Sequence, residues 1–67
     1  MKTRWNYGQG QVSPCFYTIK QTLEHGREIG TGWIERKELD TGEWFPCSDN
    51  GTFLDMTAKA NKYHPAR

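Results

Sequence analysis

Residues 15–23 read Cys15-Phe16-Tyr17-Thr18-Ile19-Lys20-Gln21-Thr22-Leu23, and the period assigned to them decides the fold. Taken with a period of two, Cys15, Tyr17, Ile19 and Leu23 share one face, while Phe16, Thr18, Lys20 and Thr22 share the other. Aromatic and β-branched residues in that alternation predict a half-buried antiparallel strand. Glu24-His25-Gly26-Arg27 then reads as a tight turn, with a glycine available for a positive φ. A partner strand follows over residues 28–37, in which Ile29, Thr31 and Trp33 oppose Gly30, Gly32 and Ile34. Two glycines two apart leave a bare groove on the second face, suited to a ring or a helix.

On the N-terminal side, residues 4–12 mix aromatics with Gly8 and Gly10. They predict an irregular first strand, or an arm that packs through Trp5 and Tyr7. Ser13-Pro14 punctuates the chain, because proline lacks the ladder donor and restricts the residue before it. On the C-terminal side, Leu39-Asp40-Thr41-Gly42 predicts a turn into a short strand over residues 43–47, which Pro46 confines to a sheet edge or a bulge. Ser48-Asp49-Asn50-Gly51 carries the Asn-Gly turn signal.

From Thr52 the period changes, and Phe53, Met56, Ala60 and Tyr63 recur at helical spacing. Thr52 with Asp55 resembles a capping box, or Asp55 is itself the cap, and Pro65 stops the run. Lys59 and Lys62 near its end complement a helix dipole and need no partner. The expected fold class is α+β: a small antiparallel β-meander of three to four strands, with one short C-terminal helix over residues 53–63 packed on one face. No repeat or linker divides residues 1–67, so one small domain is expected.

A 67-residue chain has a thin core and buries roughly 60% of the surface its unfolded form exposes. Domains of this size look for staples such as a disulfide, a metal or oligomerisation. Large rings offer another route, and the chain has three tryptophans, three tyrosines and three phenylalanines. Nine basic side chains stand against eight acidic ones. That balance lacks both the basic excess of a dedicated nucleic-acid binder and the dense acidic face of a DNA mimic. No apolar run approaches the roughly 18–20 residues that span a bilayer, and no apolar segment follows the basic start. A cytoplasmic location with reduced thiols is the corresponding expectation.

Candidate chemistry is sparse. Cys15, Cys47, His25 and His64 are scattered singly, without the close pairs that structural zinc draws on, so no metal is expected. A Cys15–Cys47 bridge would close a loop of about thirty residues, worth ~3 kcal/mol, but a reducing compartment disfavours it. A thiol-dependent enzyme needs a base beside Cys15 or Cys47, and no local signature supplies one. Gly8-Gln9-Gly10 and Gly30-Thr31-Gly32 lack the completion and context of a phosphate loop and read as turn glycines. Glu24, Glu28, Glu35, Glu38, Asp40 and Glu43 read as a solvated rim. Neither catalytic residues nor a cofactor are expected.

More rings are present than a thin core requires, and exposed aromatics are enriched at protein interfaces. The expected function is therefore a non-enzymatic protein-binding module that occupies a partner protein's surface through Trp5, Tyr7, Phe16, Tyr17, Trp33 and Trp44. An adaptor, a homodimerising accessory protein, or a compact inhibitor of the kind phages and other mobile elements encode would each fit. The alternative is a single-stranded nucleic-acid binder that stacks bases on Trp5, Tyr7 and Tyr17, flanked by Arg4 and Lys20.

Overall fold

The computed structural model describes residues 2–54 and 56. The elements run in the order β1 (Thr3–Asn6), α1 (Ile19–Ile29), β2 (Trp33–Lys37) and β3 (Trp44–Pro46). They form a small α+β fold with a three-stranded sheet in the order β1-β2-β3, both pairs antiparallel. Among the described residues there is no fourth strand. A helix, not a hairpin, joins β1 to β2, so the sheet is not a simple meander.

The expected strand over residues 15–23 is corrected to a helix. Thr18 caps it: its side chain accepts from Gln21 N–H at 3.1 Å, while the Gln21 side chain accepts from Thr18 N–H at 3.3 Å. Satisfying two otherwise orphaned N–H groups reciprocally is worth about 1 kcal/mol, enough to tip an ambiguous segment. Glu24-His25-Gly26-Arg27, expected as a turn, lies inside α1. The C-cap is Gly30, left-handed at φ 85°, whose N–H donates to Gly26 O at 2.8 Å.

That shift shortens the neighbouring elements. Glu28 and Ile29 belong to the helix, so the strand expected over residues 28–37 begins at Trp33. The strand expected over residues 4–12 ends at Asn6, and Val12 returns to bridge Asn6. The segment after it closes the outer edge of β1, with Phe16 and Thr3 exchanging backbone hydrogen bonds of 2.7 and 3.1 Å. The strand expected over residues 43–47 is Trp44–Pro46. The helix is therefore not C-terminal. Of the expected 53–63 helix, Phe53 instead bridges Cys47, and residues 55 and 57–63 lie outside the described residues.

Pro46 sits on the sheet's edge strand, as expected. Cys47 N–H turns inward to Ile34 O at 3.1 Å. Position 46 therefore turns outward, where a missing N–H breaks no ladder bond. The Pro46 carbonyl accepts there from Leu54 N–H at 3.1 Å.

Directly opposed residues project to the same side of a sheet. The register thus places Thr3, Trp5, Ile34, Arg36 and Phe45 on one side, and Arg4, Asn6, Trp33, Glu35, Trp44 and Pro46 on the other. α1 packs on the first side through its smallest residues. Thr22, fully buried, meets the Thr3 hydroxyl at 2.5 Å, and Gly26 receives the Trp5 ring. Gly32 does not leave the bare groove expected of it: the Asn6 carbonyl lies where its Cβ would be. No helix among the described residues is long and apolar enough to cross a membrane.

Candidate functional site

The side of the sheet away from α1 is built on one carboxylate. Glu35, expected on a solvated rim, has no exposed surface at all. Three side chains donate to it: Arg4 Nε at 2.8 Å, Trp33 Nε1 at 3.0 Å and Asn6 Nδ2 at 3.2 Å. Arg4 in turn stacks on Trp44, its guanidinium carbon 4.4 Å from the ring centroid. A buried charge is tolerable only when paired and hydrogen-bonded in this way. Its donors come from β1 and from two residues back on β2, so the cluster ties the two strands in register.

The rings singled out from the sequence are used in several places. Trp33 is buried, while Trp5, Tyr7, Phe16 and Trp44 are half-buried. Trp5 Nε1 donates to Thr31 O at 2.7 Å. Tyr7 and Phe16 come together on the helix residue His25: the Tyr7 hydroxyl is hydrogen-bonded to His25 Nε2 at 2.7 Å, and the Phe16 and His25 centroids are 5.5 Å apart. Tyr17 alone of the six is widely exposed, at 82%. Of the residues named for nucleic acid, Arg4 and Trp5 project from opposite sides of β1, while Lys20 is exposed on α1.

A concave site opens on the helix side of the sheet, which no ring count indicated. Its cavity, of about 600 Å³, is lined by Trp5, Trp33, Ile34, Cys47, Asp49 and Leu54, among others. The elements explain it. α1 covers β1, the 47–54 segment folds over β3, and β2 is left as a floor between them. Asp49 also borders the clefts that continue along Leu23 and Arg27 of α1. Leu54, at the mouth, is 53% exposed. The volume falls within the roughly 300–1,000 Å³ range of ligand sites, and the lining is mainly apolar with few polar groups, as in such sites.

The two cysteines are separate thiols, Cys15 exposed and Cys47 buried. Burial pushes the Cys47 thiol up to about 11; Arg36 pulls the other way, while Glu35 and Asp49 add to the rise. Such a thiol is a poor nucleophile at neutral pH. Among the described residues, no three His, Cys, Asp or Glu side chains are grouped to hold a metal, and His64 lies outside that set. No protein-family model, curated protein or solved structure matches this chain.

Proposed function

We propose that this chain is a small non-enzymatic protein-binding module, an adaptor or compact inhibitor acting in the cytoplasm. It occupies a partner protein's surface and seats a partner side chain in the cavity between α1 and the 47–54 segment. The observation that carries this reading is the cavity itself: an apolar floor of Trp5, Ile34 and Cys47, open to solvent beside Leu54. Pockets that take a buried anchor are where binding energy concentrates at interfaces.

The state of the reactive groups supports a binding role over catalysis. Glu35 is engaged by three donors, His25 and Tyr7 are hydrogen-bonded to each other, and the Cys47 thiol is held protonated at neutral pH. The test is capture from source-cell lysate with the wild-type chain, Leu54→Glu, and the remote surface variants Tyr17→Ser and Leu39→Ser. A protein retained by all but Leu54→Glu is the expected result. Loss through Tyr17→Ser alone would move the site to the helix entrance, and nucleic acid in the eluate would favour the stacking alternative.

A further inference from the structure

Resting on the groove as the partner site, we infer that the group it seats is a cationic side chain, a lysine or arginine of the partner. Its alkyl stem lies on the apolar floor, and its charged head faces Asp49 beside the Trp5 indole.

The lining chemistry argues for this occupant. Asp49 is the one charged residue among those that line the cavity, and Trp5, which projects to the same side of the sheet, lines it too. The Asp49 carboxylate has neither a hydrogen bond nor an ion pair within 4.0 Å among the described residues. It stands close enough to the floor to add to the rise of the Cys47 thiol, after burial and Glu35 and against Arg36. The indole of Trp5 adds an electron-rich ring, which attracts cations most strongly where water is partly excluded. An anionic group would meet the like charge of Asp49, whereas a long cationic side chain matches both the apolar stem and the acidic head of the site.

The neighbouring cations do not already fill this role. Arg36 is engaged with Gly51 O at 3.0 Å and with the Phe53 ring at 4.8 Å. Arg27 and Lys20 stand along α1, where the clefts leave the main cavity, and neither lines it.

The test titrates the full chain with two acetylated tripeptide amides, glycine–lysine–glycine and glycine–norleucine–glycine, following the Trp5 indole N–H and Leu54 methyl resonances by NMR. The lysine peptide is expected to shift both resonances and to bind about threefold to tenfold more tightly than its neutral counterpart, as a partly desolvated cation–ring and ion-pair site requires. In Asp49→Asn, an exposed isosteric change, that preference is expected to vanish. Equal or tighter binding of the norleucine peptide would overturn the cationic assignment while leaving the groove as a partner site. If neither peptide moves these resonances, the assignment and the groove reading fall together.

Discussion

The Trp5 ring fills the space that a side chain at Gly26 would need. Glycine within a helix costs about 1 kcal/mol relative to alanine, so on propensity alone Gly26→Ala would stabilise α1. The ring cannot easily yield, because its Nε1 is held on Thr31 O at 2.7 Å. Gly26→Ala is therefore expected to destabilise the fold by about 1–3 kcal/mol, as overpacking does. Urea unfolding checks the sign. In a Trp5→Leu background the same substitution should cost markedly less.

Glu35 is the residue whose loss should be felt most. Glu35→Ala removes a carboxylate that satisfies Arg4, Asn6 and Trp33 together, leaving a half-buried guanidinium without its counterion. Breaking such a pair from one side costs about 3–5 kcal/mol. For a domain this small that is a large share of the total, so circular dichroism should show a much lower melting temperature or an unfolded chain. Arg4→Lys should be milder but still destabilising, since an ammonium does not reproduce the Nε–H geometry or the stacking on Trp44.

The start of α1 depends on Thr18. Thr18→Ala deletes the acceptor for Gln21 N–H and is expected to cost about 1 kcal/mol, whereas Thr18→Ser should retain most of the stability. The comparison is made by chemical denaturation followed at a helical wavelength.

Cys15 and Cys47 should separate cleanly in a thiol titration. Cys15 is exposed and should react at once, while Cys47 should wait for unfolding.

The same burial predicts a pH dependence. Below about pH 9 the Cys47 thiol is protonated in both folded and unfolded chains, and its contribution is fully present. Its folded value is raised from 9.0 to about 11. Stability therefore falls as pH rises through that window, because the unfolded chain sheds the proton first. The slope from this one group is at most ~1.4 kcal/mol per pH unit. Cys47→Ala should flatten that part of the profile, read as the difference from wild type.

Local chemistry was enough to determine some features of this protein. A small antiparallel sheet in an α+β chain, Trp33 and Ile34 on a strand, and Pro46 at a sheet edge follow from alternation and from what proline lacks. Residues 15–23 read as a strand, and not as the start of α1, because they support two periods at once. Cys15, Tyr17 and Ile19 alternate, yet Gln21 breaks the alternation, and Thr18 with Gln21 is a capping box that a strand cannot use.

Tertiary structure alone decided the rest. Gly26 reads as a turn residue until Trp5, twenty-one positions earlier, is seen to occupy the space beside it. Glu35 reads as a surface acid until Arg4, Asn6 and Trp33 surround it. The groove exists only because α1 and the 47–54 segment both stop short of covering β2. Each of these depends on groups far apart in the chain, and no local spacing encodes what will stand opposite a side chain once the strands pair.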